Sequence, residues 1–132
     1  MIVVDASALV AIAEREPEWE QFLDALNRVD VSYVSAVNFL ETGVVLIRRG
    51  HFADEIELTD WLINLGVKRR EDVELGPAAL SAYRRFGKSF HPARLNLADC
   101  FAYALAKELD LPLLYKGDDF AKTDIRSAFQ PT

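Results

Sequence analysis

The chain has 132 residues, 51% of them hydrophobic, with a formal net charge of −6 and a single cysteine. That length suits one sizeable core and is short for two ordinary domains, so residues 1–132 are expected to form a single domain. The acidic balance argues against holding nucleic acid by bulk charge, one cysteine excludes an internal disulfide, and no run approaches the roughly 18 apolar residues of a membrane span.

Ile2-Val3-Val4 reads as a short buried strand closed by Asp5, followed by an apolar helix from Ala6 to Ala13. A second amphipathic helix is expected from Pro17 to about Arg28, with Pro17 in its first turn. Val31 to Val34 reads as the next strand. Ser35 caps a helix running to about Arg49, and Gly50 stops it. The pattern from His51 to Leu65 predicts a helix ending near Gly66. Glu71 to Leu75 reads as a short strand, and Pro77 to Phe86 as a helix closed by Gly87. Asn96 then caps a helix to about Leu109, Pro112 to Tyr115 forms a strand, and Ile125 to Phe129 is a candidate edge strand. Strands alternating with helices imply parallel pairing and a three-layer α/β/α sandwich around a mostly parallel sheet. The N-terminus opens directly on a strand, without a charged, an apolar and a cleavable segment in series, so the chain is expected in the cytoplasm.

Asp5, Glu41, Asp99, Asp118 and Asp119 stand out against this frame. Ligands bind beyond the carboxyl ends of strands in open α/β sheets, where Asp5 and the Asp118-Asp119 pair fall. Taken singly, most of the acids have structural readings. Asp5 can cap the helix that starts at Ala6, Asp99 can close a capping box with Asn96, and Asp118-Asp119 can make an Asx turn. Glu41 is different, because its helical neighbours are Val37, Val44 and Val45 and no Lys or Arg lies within a turn. A carboxylate on an apolar face costs several kcal/mol unless it is paired or bound to a cation. Two carboxylates ~4 Å apart repel by roughly 4 kcal/mol at an effective dielectric near 20, so a cluster of four needs a compensating charge.

With two histidines and one cysteine, the donors suit a hard cation such as Mg2+ or Mn2+ better than zinc. Cys100, flanked by Phe101 and Ala102, reads as an inert core residue, since a catalytic thiol needs a base and an electropositive setting. From Leu75 to Ala98 there is no acid, whereas Arg84, Arg85, Lys88, His91 and Arg94 fall there, so Arg84, Arg85, Lys88 and Arg94 are candidates for steering phosphates toward Asp99.

Four segments complete the picture: Val3-Val4-Asp5-Ala6-Ser7-Ala8-Leu9; Ser35-Ala36-Val37-Asn38-Phe39-Leu40-Glu41; Leu95-Asn96-Leu97-Ala98-Asp99 through Ala106; and Pro112-Leu113-Leu114-Tyr115-Lys116-Gly117-Asp118-Asp119-Phe120 with Thr123-Asp124 beyond. In order and spacing, over nearly the whole chain, they resemble the PIN-domain toxins of bacterial VapBC toxin–antitoxin modules. The resemblance implies a PIN-like fold and a Mg2+ or Mn2+ dependent endoribonuclease acting on RNA such as tRNA or rRNA, silenced by a VapB-type antitoxin. It also implies a homodimer and a larger toxin–antitoxin assembly. Carried over by position, Asp5, Glu41 and Asp99 would be metal-site acids, Ser7 would assist beside Asp5, and Asp119 is favoured over Asp118 as the fourth acid, with Asp124 a lesser candidate. Ser89 and Ala98 depart from the glycines often found there, which touches substrate fit more than metal binding.

In the mechanism expected from these residues, Asp5 and Asp99 ligate the ion directly, and Glu41 and Asp119 ligate through water, accept its proton or hold a second ion. Two alternatives remain open at this point. One is a phosphoacceptor signalling domain using Lys116. The other is a non-catalytic PIN-like binding protein whose acids receive a partner's Arg or Lys. Val44, Val45, Leu46, Ile47, Trp61, Leu62 and Ile63 offer apolar surface for either a core or a dimer interface.

Overall fold

The computed structural model describes residues 1–71 and 74–129. Its sheet contains four parallel strands in the order β3-β2-β1-β4: β1 (Ile2–Val4), β2 (Ser32–Ser35), β3 (Val67–Arg70) and β4 (Leu113–Leu114). Alternation along these short strands sends side chains to both faces, and both faces are covered, as a parallel sheet requires. Val3, Tyr33 and Leu113 meet α5 (Gly76–Phe86) and α6 (Leu97–Leu109). Ile2, Val4, Val34, Val67 and Leu114 meet α1 (Ala6–Glu14), α2 (Trp19–Asn27) and α4 (Glu55–Asn64). The three-layer α/β/α architecture expected from the sequence is therefore present. A further helix, α3 (Ala36–Arg48), leaves the end of β2 and packs on both α1 and α6.

Parallel strands place their carboxyl ends along one edge of the sheet, and three helix starts are tied down there. The α1 start is capped by Asp5, whose side chain accepts from the Ser7 N–H at 3.0 Å. Ser35 caps α3 by accepting from Asn38 N–H, also at 3.0 Å. Asn96 and Asp99 form a reciprocal capping box on α6.

Several expected elements differ from those observed. Pro17 lies in the turn before α2, because Arg15 adopts a left-handed conformation (φ 52°), Glu16 N–H bonds back to the Ala11 carbonyl, and Glu18 (φ 76°) is the N-cap. The helix predicted from His51 starts at Glu55, where Asp54 takes the N–H groups of Ile56 and Glu57. The preceding segment instead docks Phe52 against Trp61. The third strand is Val67–Arg70 rather than 71–75, and Asp72 and Val73 of the expected strand lie outside the described residues. Its cations lie over aromatic rings, with Arg69 above Phe39 at 4.5 Å and Arg70 above Tyr33 at 4.8 Å. Ile125 to Phe129 does not form a strand and gives only a single bridge, Ser127 to Leu113. At Gly87 a side chain has no room, since a Cβ would stand 2.3 Å from the Tyr83 carbonyl oxygen, and this close turn brings the chain back through Leu95 toward Asn96. Among the described residues, no helix is long and apolar enough to cross a membrane.

Candidate active site

Asp5, Glu41, Asp99 and Asp119 line one cavity of about 410 Å3 at the carboxyl edge of the sheet, with Ser7, Glu16, Arg49, Asn96 and Lys116. Each acid arrives on a different element: the end of β1, the second turn of α3, the first turn of α6 and the loop after β4. Asp5 is 3% exposed. Its Oδ2 holds the Ser7 N–H, and its Oδ1 is buried with no hydrogen-bond partner among the described residues. Burial, opposed by the Ser7 hydroxyl and N–H and reinforced by the Glu41 charge, pushes the Asp5 carboxyl up to about 6. Asp99 is also pushed up to about 6, by burial first and by Asp5 and Asp119 as like charges. Glu41 is raised by burial and by Asp99, against a lowering hydrogen bond from Asn38.

The helix-capping readings of Asp5 and Asp99 are therefore correct, and both caps are also members of the cluster. Asp99 Oδ2 accepts from Asn96 N–H at 3.0 Å, and its other oxygen is not engaged in the capping box. In this arrangement, no group of three or more His, Cys, Asp and Glu side chains among the described residues is set to hold a metal ion as it stands. The chemistry nevertheless fits a divalent cation. The donors are hard carboxylate oxygens, one of them is orphaned in the interior among the described residues, and burial first and like charge second raise the Asp5 and Asp99 carboxyls. Mg2+ or Mn2+ keeps several waters, which suits acids that surround a space rather than close on a point.

Other sequence candidates lie elsewhere. Asp118 lines a neighbouring cavity of about 500 Å3 with Glu18, Phe22, Tyr115 and Ser127, and among the described residues Lys116 alone is shared between the two cavities. Asp124 is bound by the Tyr103 hydroxyl at 2.5 Å and Lys107 at 3.1 Å, with Arg85 at 3.9 Å, in a groove between α5 and α6. It anchors the C-terminal segment there and is not among the residues lining the acidic cavity. Nor are Arg84, Arg85, Lys88 and Arg94, which are all exposed. Cys100 is buried, and its thiol is pushed up to about 11 by burial and by Asp99, which fits the inert role. Of the apolar surface noted in the sequence, Leu46 and Leu62 are core, whereas Val44, Ile47 and Ile63 are exposed together with Leu40.

Three features were missed. Asn38, fully buried, accepts the Ser35 hydroxyl proton, donates to the Ala98 carbonyl at 3.0 Å and holds Glu41, so it ties α3 to the residue preceding Asp99. Its signal was present three residues before Glu41, as a second polar group on an apolar face. Lys116 pairs with Glu16 at 2.8 Å, and Arg49 pairs with Glu14. Pairs so far apart in sequence leave no local signal.

A PIN-domain family model matches residues 2–126. Ribonuclease VapC30 of Mycobacterium tuberculosis is 40% identical over 131 residues, spanning 98% of this chain and 100% of that protein. Ribonuclease VapC of Mycolicibacterium smegmatis is 42% identical over 125 residues, 94% of this chain and 97% of the relative. Among solved structures, Mycobacterium tuberculosis VapC20, a toxin described as cleaving the sarcin–ricin loop, matches with a TM-score of 0.77 over 98% of this chain and 100% of that one, at 16% identity. That likeness supports the fold.

Proposed function

The chain belongs to the PIN-domain family, among its VapC toxins, and from that premise we propose that it is an endoribonuclease that hydrolyses RNA phosphodiester bonds with Mg2+ or Mn2+. The observation that carries this reading is the convergence of Asp5, Glu41, Asp99 and Asp119 on one cavity, with Asp5 Oδ1 buried and unpartnered. A bound divalent ion supplies Lewis acidity, polarising the phosphoryl group and making water a stronger acid. Asp5, with its unpartnered Oδ1, and Asp99 would hold it directly, and Glu41 and Asp119 would hold it through water. The Glu41 carboxylate, which lines the same cavity and is raised by burial and by Asp99, would take the proton of the attacking water. Ser7 fixes the arrangement. Its Oγ accepts the Lys116 N–H at 3.0 Å, and its hydroxyl and N–H steady Asp5. Arg84, Lys88 and Arg94 are left as an outer steering rim, on the exposed segment leading into Asn96.

Purified protein incubated with total cellular RNA is expected to cut it with Mg2+ or Mn2+, to stop in EDTA, and to be inactive as Asp99→Asn in any of the three. Equal cleavage by both proteins would reject the assignment. The phosphoacceptor alternative is tested in the same preparation: a stable aspartyl phosphate after incubation with acetyl phosphate, without RNA cleavage, would favour it.

As a VapC-type toxin in the cytoplasm, the protein would be held silent by a VapB-type antitoxin, whose Arg or Lys side chain could occupy the acidic cavity in place of the ion. We also propose a homodimer, formed through the stripe Leu40, Val44 and Ile47 on α3, where Leu40 is 63% exposed. Light scattering should give a dimer for the wild type and a monomer for Leu40→Asp/Val44→Asp. A wild-type monomer at micromolar concentration would remove this proposal.

A further inference from the structure

We propose that Lys116 is a catalytic residue of this site, its ammonium donating to a non-bridging oxygen of the scissile phosphate, with Glu16 as the residue that positions it; this rests on the nuclease reading above. Among the described residues lining the acidic cavity, the cations are Lys116 and Arg49. Their settings differ. Arg49 caps the end of α3, is 54% exposed, and is bound to Glu14, which also meets His51 Nε2 at 3.4 Å, so it belongs to the cavity mouth. Lys116 follows the buried residues Leu114 and Tyr115 at the end of β4, and its side chain is 30% exposed.

Two hydrogen bonds in series fix the Lys116 backbone relative to the acids: its N–H donates to Ser7 Oγ at 3.0 Å, and the Ser7 N–H donates to Asp5 Oδ2 at 3.0 Å. Gly117, at φ +99°, then turns the chain so that Asp119 reaches the same cavity that Lys116 lines. The side chain is fixed as well, because Nζ lies 2.8 Å from Glu16 Oε1, on the segment that follows α1. An ammonium has three N–H donors, so the bond to Glu16 leaves two for a phosphate oxygen, and Lys116 need not release Glu16 when RNA arrives. In-line attack on phosphorus increases the negative charge on the non-bridging oxygens. A donor already oriented toward that position lowers the barrier more than one that must be recruited from solvent. The ammonium keeps its proton throughout; water and leaving oxygen exchange theirs with the acids.

The test is steady-state and single-turnover cleavage of an RNA that the wild type cuts with Mg2+. Lys116→Met is expected to lower kcat by about 10²–10³-fold, as for loss of one transition-state donor, and to change KM by less than about threefold. Lys116→Arg should recover part of the loss. Glu16→Gln should lower kcat by about tenfold alone and add nothing on top of Lys116→Met, because its effect acts through the lysine. RNA affinity, read by fluorescence anisotropy in an Asp99→Asn background, should stay within about threefold, and Arg28→Ala, remote from the cavity, should match the wild type. Thermal melting of each variant separates loss of fold from loss of chemistry, and the Arg and Gln variants carry the test if the Met variant melts early.

A wild type that leaves RNA intact would bring down the nuclease reading itself. A cleaving wild type whose Lys116→Met variant keeps its kcat, or loses only affinity, would overturn the role of Lys116 and leave that reading in place.

Discussion

Asp5→Asn is expected to abolish RNA cleavage while raising the melting temperature of the metal-free protein at pH 7.5. Asp5 is the deepest of the acids, and its carboxyl is pushed up to about 6 from an ordinary 3.8, chiefly by burial. A carboxyl whose pKa is higher folded than unfolded stabilises the folded state fully only below its unfolded pKa, and that contribution is lost as pH rises through about 6. At about 1.4 kcal/mol per pKa step, an ionised Asp5 costs the empty site about 3 kcal/mol at neutral pH. Asparagine removes the charge and still caps α1 by accepting from Ser7 N–H. The net gain should be about 1–3 kcal/mol, or several degrees for a chain of this size. It should shrink as pH falls from 6 toward 4, where the folded-state carboxyl is protonated while the unfolded one is still largely ionised. Scanning calorimetry in EDTA at pH 7.5 and pH 4.5 checks this, and a variant less stable than wild type at pH 7.5 would show that Asp5 is not carrying an uncompensated charge.

The second large effect is expected at Asn38. Replacing it with Leu keeps the volume but removes the donor to the Ala98 carbonyl, the acceptor for the Ser35 hydroxyl and the donor to Glu41. Buried polar groups left without partners cost about 1–3 kcal/mol each, so Asn38→Leu should destabilise by about 2–4 kcal/mol in urea titration. Activity should fall further than stability explains. Glu41, without its donor, becomes harder to ionise, and α3 is no longer tied to the residue before Asp99. A loss of about 10–100-fold in cleavage or in Mg2+ affinity is expected, typical of removing a group that orients ligands. Wild-type cleavage and stability in Asn38→Leu would mean that the α3 to α6 link carries no weight.

These two residues also mark how far the sequence could be read. Asp5 and Asp99 were legible because strand ends and helix caps have local signatures, and Glu41 because a lone acid among valines demands a reason. Asn38 sits on the same face as Glu41, yet its partner is the Ala98 carbonyl, and a backbone acceptor sixty positions away has no residue type to betray it. Lys116 and Glu16 are separated by a hundred positions in the same way. β3 lies earlier than the expected strand because Lys68, Arg69 and Arg70 show no apolar alternation, and it is held by pairing with β2 and by the rings of Phe39 and Tyr33 under two of the cations. Within the basic run from Arg84 to Arg94, Arg85 departs from the expected rim for the opposite reason. The run's charges are real, but composition alone does not say which way a helix faces, and Arg85 turns toward Asp124. Asp118 misled by adjacency, since successive residues after Gly117 diverge into separate cavities.

Because Asp5 begins a helix as well as serving the cluster, and because asparagine starts helices as well as aspartate does, the protein can lose its chemistry while keeping its shape. Aspartate and asparagine codons differ by a single nucleotide. On the nuclease reading, one nucleotide therefore separates an active chain from an inert one that keeps the same folded surface.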